Sequence, residues 1–254
     1  HYPLRRQRQM CIRDSPSGVG PWAEELLGDA KPEVIYNTAT GFTADTFEQV
    51  TAADPTQIIA VNQAVDARTK GSLEEIAPTT VKPNGYEDWQ VPWEKQVETI
   101  ADAVGKENEG DKLIDDTEKA FEEFRHKHAE LQDKSAAIVM PYDGKIGLYT
   151  EEDGRGQFIE DLGMEIPDAL QGDGGSFFVD IAPENYAKLN QVDYLFVLDY
   201  NGSSDALKKD KTFQGLDIVK EGRVRYLDTD TGNAMSMPNP VTIPWAVDKF
   251  EEKL

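Results

Sequence analysis

Histidine is the usual base or metal ligand of a catalytic site, and this chain of 254 residues has only three: His1, His126 and His128. A Ser-His-Asp hydrolase needs such a base beside its nucleophile. His1 lies in an atypical basic segment at the start of the sequence. His126 and His128 stand two apart in a predicted helix, about 200° around its axis, so they cannot converge on one metal ion or substrate. Triad hydrolysis and a histidine-based metal centre are therefore both disfavoured.

Two other segments come close to known ion-binding loops without completing them. Residues 171–176 are glycine-rich but lack the Gly-Lys-Ser/Thr ending with which a P-loop holds phosphate. Residues 228–239 place Gly232 one position early for a calcium loop and end in Asn239, where a bidentate Glu is required. The single cysteine, Cys11, allows neither an intrachain disulfide nor a cysteine-rich metal site. We therefore expect no catalytic residue, no metal site and no cofactor.

Aromatic side chains in or near predicted loops, together with one cation, indicate binding chemistry instead. Loop aromatics of this kind are typical of a broad, shallow cleft that holds a large, partly apolar ligand. Any single one of them is more often rim packing than a ligand contact. The residues predicted to bind the ligand are Trp89, Tyr142, Tyr149, Arg155, Phe177, Tyr200 and Met235.

A repeated acidic segment suggests a second kind of contact. Glu48 and Glu184 each stand near a predicted helix start, ten residues before an apolar run that begins at Ile58 or Tyr194. Such a repeat predicts two similar lobes. Two exposed carboxylates at equivalent points on two lobes could dock symmetrically on a partner protein.

The composition limits the class of partner. The chain has 48 acidic against 26 basic residues, a formal net charge of -22. Binding to phosphate backbones needs a basic surface, so nucleic acid is a poor candidate partner, and a basic protein surface is a better one. The sequence has no run of about 18 apolar residues that would cross a membrane.

The elements that must position these residues follow an α/β pattern. Trp93, Val97, Ile100 and Val104 recur on one face of a helix that Gly105 is placed to end. Residues 111–131 contain no Gly or Pro and predict a helix of roughly 30 Å, long enough to connect two lobes. Before them, the sequence predicts strands at 33–36 and 58–61 and helices at 22–27, 46–53 and 71–76.

In the second half of the chain, predicted strands and helices alternate. The strands fall at 136–140, 146–149 and 194–198, with a late one near 220–227, and the helices fall at 156–162, 183–189 and from 243 onward. This alternation favours a mostly parallel, helix-covered sheet. Residues 1–15 differ from the rest, with four Arg and one Asp and no apolar segment of a secretory signal. We interpret them as a non-native leader.

Several motifs in order resemble one family over residues 20–254. One of them runs from Gly154 to Gly163 and includes Gly154-Arg155-Gly156, and the others lie at 46–50, 73–79, 93–96, 105–107, 181–184, 193–196 and 243–246; each is weak alone, and their order and spacing carry the resemblance. Together they are similar to the solute-binding proteins of ABC importers for ferric siderophores, which are related to those for cobalamin and haem.

The resemblance implies two three-layer α/β lobes joined by a single rigid helix, with ligand held in the cleft and only modest closure. It divides the chain into a leader (1–15), an N-terminal lobe that lacks its first elements (16–110), a connecting helix (111–131) and a C-terminal lobe (132–254). It implies that Glu48 and Glu184 meet arginines of a membrane permease and that Arg155 faces an anionic siderophore. Tyr200 stands where some catecholate binders carry another arginine, which disfavours a tris-catecholate.

The expected function is therefore non-enzymatic capture of a ferric siderophore and its delivery to an ABC permease. The protein is expected to act as a monomer outside the cytoplasm, either periplasmic or as a lipoprotein anchored to the outer face of the cell membrane. Two alternatives stay open: a cobalamin- or haem-binding protein of the same family, and an extracytoplasmic enzyme or adhesion module on the same frame. Both plausible histidines lie on the connecting helix, so axial histidine ligation of haem is disfavoured.

Overall fold

The computed structural model describes residues 18–35, 41–172 and 175–254. The chain divides into two compact units, residues 1–116 and 117–254. The predicted leader and Tyr36 lie outside the described residues. Residues 33–35 have no regular secondary structure, so the strand predicted there is wrong for the part that the structure describes.

The first unit contains two short parallel strands among helices. Its elements in chain order are α1 (Glu24–Leu27), α2 (Ala44–Ala52), β1 (Ile58–Ala60), α3 (Ala67–Glu74), β2 (Thr79–Val81) and α4 (Trp93–Val104). β1 and β2 pair in parallel with Ile58 opposite Thr79. α2 begins two residues before the predicted start because Thr43 and Thr46 form a reciprocal capping box, in which the Thr43 hydroxyl accepts from Thr46 N–H at 3.2 Å.

Helix α5 (Glu107–Lys127) begins and ends four residues earlier than predicted. α4 ends as expected at Gly105, which adopts the left-handed conformation with φ +66°. Gly110 then lies inside α5, where its missing Cβ allows close packing on Ala101. The basic last turn of α5, with Arg125, His126 and Lys127, complements the helix dipole.

The second unit is built on a five-stranded sheet in the order β5-β4-β3-β6-β7. Its strands are β3 (Ala136–Tyr142), β4 (Lys145–Tyr149), β5 (Phe178–Ile181), β6 (Tyr194–Asp199) and β7 (Val224–Asp228). β6 pairs in parallel with β3 and β7, whereas β4 pairs antiparallel with β3 and β5. The sheet is therefore mixed: β3, β5, β6 and β7 run in one direction, and β4 is a reversed strand that the predicted mostly parallel sheet did not include.

β4 is reversed because a tight turn joins it directly to β3. The alternation of predicted strands and helices does not indicate this turn. Asp143 and Gly144 both have positive φ, +45° and +76°, and they join β3 directly to β4 in register Tyr142 opposite Lys145. Two left-handed residues match the twist of a two-residue hairpin, and an Asp-Gly pair is its usual sequence signal. This hairpin reverses β4 relative to β3, and β5, which pairs antiparallel with β4, runs in the direction of β3 again.

Helices cover both faces of this sheet. The helices of the second unit are α6 (Gly154–Asp161), α7 (Ser204–Lys209), α8 (Lys211–Gln214), α9 (Asp217–Lys220), α10 (Thr229–Ser236) and α11 (Thr242–Glu251), with 3-10 segments at Ala129–Leu131, Asp168–Leu170 and Pro183–Gln191. On one face, Phe213 and Ile218 pack with the buried strand residues Val139 and Val197. Burial of such side chains stabilises the unit by roughly 1.5–3 kcal/mol each.

On the other face, aromatic rings join α5, α6 and α11 to the sheet. The ring centroid of Phe250 lies 4.6 Å from that of Phe196, 6.0 Å from that of Phe158 and 6.0 Å from that of Phe124. His128, just past the end of α5, contacts Glu251 of α11 through Nε2. The predicted apolar stripe of this helix is thus buried at Phe121 and Phe124, but Leu113 is 50% exposed.

Candidate functional site

Three of the predicted ligand-contact residues, Tyr149, Arg155 and Tyr200, lie together in the second unit. Tyr149 is the last residue of β4, Arg155 is the second residue of α6, and Tyr200 directly follows β6. Arg155 Nε donates to the Tyr200 hydroxyl oxygen at 3.3 Å. The guanidinium carbon stands 4.1 Å from the centroid of the Tyr149 ring, a cation–π geometry.

Asp153 completes this group and gives the arginine a counter-charge. Its Oδ1 accepts from Arg155 Nη1 at 2.8 Å and from Arg155 backbone N–H at 3.0 Å. The second bond is the N-cap of α6, so one carboxylate both starts the helix and fixes the side chain two residues later. We refer to Tyr149, Asp153, Arg155 and Tyr200 as the Arg155 cluster.

The Arg155 cluster is a buried charge pair. The side chains of Arg155 and Asp153 are only 4% and 1% exposed. Burial opposes the charged form of Arg155, but the nearby Asp153 and then Tyr149 and Tyr200 outweigh it and raise the pKa of Arg155 above its usual value. Arg155 is therefore held as a cation whose charge Asp153 neutralises.

Glycines on both sides of Arg155 allow the backbone to approach closely. A Cβ at Gly156 would lie 2.0 Å from the carbonyl oxygen of Thr150, and one at Gly154 would lie 2.8 Å from Pro238 Cδ. On α10, a Cβ at Gly232 would lie 2.9 Å from the Tyr200 hydroxyl oxygen. The Gly-Arg-Gly motif and Gly232 are thus what permits α6, α10 and Tyr200 to pack around the arginine.

Residues 228–239, whose sequence does not complete a calcium loop, begin with an acidic helix cap and contain α10. Asp228 Oδ1 accepts from Thr231 N–H at 2.9 Å, so this acid caps a helix. Met235 lies on the same helix and is completely buried. Among the described residues, no group of three or more His, Cys, Asp or Glu side chains could hold a metal ion.

Tyr142 belongs to a second group at the β3–β4 hairpin, which comprises Tyr142, Lys145, Phe178 and Asp180. The Tyr142 hydroxyl and Lys145 Nζ both donate to the Asp180 carboxylate, and Tyr142 packs edge-on against Phe178 with centroids 6.5 Å apart. Burial and then the bond to Asp180 raise the pKa of Tyr142. Burial opposes ionisation of Asp180, but the bonds from Lys145 and Tyr142 lower its pKa. This group connects β3, β4 and β5 beside the β3–β4 hairpin.

The two remaining predicted ligand residues are half-buried. Phe177 directly precedes β5, and its carbonyl oxygen accepts from Thr150 N–H at 3.1 Å. Trp89 lies in the first unit, in the loop before α4, with φ +71°. A bulky residue rarely adopts this left-handed conformation, and residues that do so are concentrated at functional sites.

The two predicted docking residues are exposed. Glu48 lies in the middle of α2 and not at its start, because the helix begins at Ala44. Glu184 lies in the first turn of the 3-10 segment Pro183–Gln191. Each is thus on the solvent-facing side of a short helical segment.

Sequence reasoning missed Asp153 and Asp180, the two carboxylates that organise the two groups. A signal existed for Asp153, because an Asp one residue before Gly-Arg-Gly is a typical N-cap. No comparable signal existed for Asp180, whose partner Lys145 is 35 residues away in the chain. Pairing across strands is set by the register of the sheet, which short-range patterns do not specify.

Most of the chain matches a known protein family. Residues 16–231 match the family model described as periplasmic binding protein. No curated protein matches the chain. Within the described residues, every helix is too short or too polar to cross a bilayer.

Solved structures share the fold over most of their length. A periplasmic solute binding protein of Mycobacterium smegmatis is 26% identical, with a TM-score of 0.81 over 94% of this chain and 80% of the other. PiaA of Streptococcus pneumoniae, an iron uptake ABC transporter substrate-binding protein, is 26% identical, with a TM-score of 0.73 over 92% and 82%. PiaA in complex with ferrichrome aligns at 24% identity, with a TM-score of 0.75 over 94% and 80%.

Proposed function

Because this chain belongs to the periplasmic binding protein family, we propose that it is the substrate-binding protein of an ABC importer and that it captures a ferric siderophore for delivery to a membrane permease. The family's members bind solutes outside the cytoplasm and pair with membrane permeases. The function proposed is transport without chemical change to the ligand, carried out by a single copy of the chain.

One observation carries the choice of ligand. The family match and the 26% identity to a protein of iron uptake coincide with a buried arginine that is framed by two tyrosines, Tyr149 and Tyr200. Ferric chelates are bulky and combine apolar surface with polar oxygen atoms. Aromatic rings can contact the apolar surface of such a chelate, and an arginine can donate hydrogen bonds to its oxygen atoms.

The predicted contact residues take different parts in this proposal. Within the second unit, Arg155 and the tyrosines of its cluster are proposed to supply hydrogen-bond donors and ring contacts, and Phe177 a half-buried ring; Trp89 is proposed as a half-buried ring of the first unit. Tyr142, at the end of β3, is proposed as a further ring contact from the group at the β3–β4 hairpin. Met235 is fully buried in α10, so its part in the proposal is packing within the unit and not a direct contact with the ligand.

A ligand panel tests the proposal. The full chain is titrated by calorimetry with ferric hydroxamates, ferric catecholates, ferric citrate, haem and cobalamin. We expect saturable binding of at least one ferric siderophore and none of its iron-free form at the same concentration. Preferred binding of haem or cobalamin would replace the ligand within the same family, and absence of binding to every member would refute transport of such ligands.

A matched variant connects the binding to the site. Tyr200→Phe removes only the hydroxyl that accepts from Arg155 Nε and keeps the ring. We expect it to weaken binding of the preferred siderophore about tenfold, the order expected when a buried polar group loses its partner. Tyr194→Phe, a change of the same kind at the start of β6, is the control and is expected to leave the affinity unchanged.

A further inference from the structure

In the proposed ligand site, the negative charge of Asp153 balances the positive charge of Arg155, so the pair has no net charge. Asp153 Oδ1 contacts Arg155 Nη1 at 2.8 Å, and both side chains are more than nine-tenths buried. In a region of low dielectric constant, an opposite charge at contact distance cancels most of the field that a ligand would feel. An approaching chelate therefore meets a dipole and not a free cation.

The residues around this pair add negative charge. Glu151 and Glu152 precede Asp153 directly, so residues 151–155 hold three carboxylates and one guanidinium. A neighbouring depression of about 190 Å³ is lined by Thr150 and by the acids Glu151, Glu152 and Asp168, and no cation is among its described lining residues. The local surface thus repels anions.

Ferric chelates differ in net charge, and an acidic surface would bind them with different affinities. Three singly charged hydroxamates neutralise ferric iron, and a chelate of this class with a free amine is cationic. Three doubly charged catecholates leave a strongly anionic complex. Taking such an anion out of water needs positive charge from the protein, which the Asp153–Arg155 pair does not supply.

We propose that Asp153 is a specificity-determining residue, which neutralises Arg155 so that the site selects neutral or cationic ferric hydroxamates and rejects anionic tris-catecholates. This inference rests on the proposed function. A purely structural role for the pair would leave the ratio of affinities for differently charged chelates unchanged when Asp153 is altered. The charge selectivity therefore separates the two roles.

The first test uses the unaltered protein. A neutral ferric trihydroxamate, a cationic ferric trihydroxamate and an anionic ferric tris-catecholate are titrated at low and at moderate ionic strength. We expect the first two to bind and the tris-catecholate to bind at least about a hundredfold more weakly, an order typical of an unpaired charge in a polar site. Equal or tighter binding of the tris-catecholate would overturn the selectivity while leaving the siderophore function intact. If no ferric chelate binds, the proposed function itself fails.

The second test changes the charge of the pair. Asp153→Asn is nearly isosteric and leaves the charge of Arg155 unbalanced, so the ratio of affinity for the tris-catecholate to affinity for the neutral chelate is expected to rise about tenfold at low salt. Asp153→Asn with Arg155→Gln removes both charges and is expected to show no such gain. An unchanged ratio in Asp153→Asn would overturn the proposal.

A third variant covers the case in which the single substitution does not fold, since breaking a buried pair leaves an uncompensated charge. Glu152→Gln removes a half-buried neighbouring carboxylate without touching the pair. It is expected to raise affinity for the tris-catecholate by about threefold, and this gain is expected to disappear at high salt. Circular dichroism of every variant establishes folding before titration. A loss of affinity for the tris-catecholate would contradict the proposal.

Discussion

Glu160 lies in the last turn of α6, five residues after Arg155, and shares its surroundings with other carboxylates. Partial burial, and then repulsion from Glu151, Asp161 and Glu165, raise the pKa of Glu160 to about 6. A carboxyl that ionises less readily in the folded chain than in the unfolded chain binds its proton more tightly when folded. Its contribution to stability is complete below the ordinary pKa of glutamate and is lost as the pH rises through about 6.

Glu160→Gln should therefore stabilise the protein at pH 7.5 and have little effect at pH 4. The glutamine keeps the shape and removes the repulsion. Since Glu160 is exposed at the surface, solvent screening holds the gain below about 1 kcal/mol. Urea unfolding at the two pH values measures the difference. Glu122→Gln, an exposed position on α5, is the control, and an equal effect of Glu160→Gln at both pH values would contradict the assigned pKa.

At the scale of elements, close helix packing depends on a glycine inside α5. A Cβ at Gly110 would lie 2.5 Å from Ala101 Cβ on α4, much closer than two carbon atoms can approach. Glycine lowers intrinsic helix stability by about 1 kcal/mol relative to alanine. The contact with Ala101 explains why the helix nevertheless has glycine here: α4 and α5 are adjacent in the chain and the side chain would force them apart.

Gly110→Ala is expected to lower the free energy of unfolding by about 1–3 kcal/mol, the cost of overpacking, despite its better helix propensity. Gly71→Ala provides the matched comparison. Gly71 is exposed in α3, and a Cβ there would meet no atom within 4 Å. It is expected to raise stability by about 0.5–1 kcal/mol. Chemical denaturation of both variants gives the two values, and a stabilised Gly110→Ala variant would show that the helices can separate without cost.

The same glycine shows which elements the sequence could predict. α4 is predictable over its whole length, because its apolar residues recur at helical spacing and Gly105 ends it locally. The sequence predicts the start of α5 four residues too late, because glycine usually weakens a helix. In the structure Gly110 lies inside the helix, where it allows close packing on Ala101. β5 and α10 were missed, since their burial comes from partners far along the chain. Local patterns carry information on caps and periodicity, but not on such partners.

For the candidate site too, the sequence predicts residue types but not the contacts between them. Tyr149, Arg155 and Tyr200 were predicted as ligand residues one by one, and the structure brings these three together. That Asp153 neutralises the arginine was not predicted, although its N-cap position was readable. Tyr200 stands 45 residues from Arg155, and such a contact depends on the sheet order β3-β6, which one sequence does not specify. The charge of a site is therefore less predictable than its residue types.

At the scale of the whole molecule, the net charge of -22 affects any docking partner. An acidic protein is steered toward a basic surface by its whole field, and this steering falls with ionic strength. Removal of any two carboxylates would weaken docking through that general effect. A specific role for two glutamates therefore requires a comparison at constant net charge.

The final prediction makes this comparison for the permease contact, which rests on the proposed function. Glu48→Ala with Glu184→Ala removes one exposed carboxylate from each unit. Loss of two charge-assisted contacts is expected to reduce uptake by about tenfold or more in cells or vesicles that hold the cognate permease, while affinity for the ferric siderophore stays unchanged. The control, Glu122→Ala with Glu123→Ala, removes two exposed carboxylates from α5 and changes the net charge equally. Since the general field weakens to the same extent in both variants, a similar loss of uptake in the control would assign docking to total charge, and a loss of siderophore affinity in the first variant would place the glutamates in the binding site.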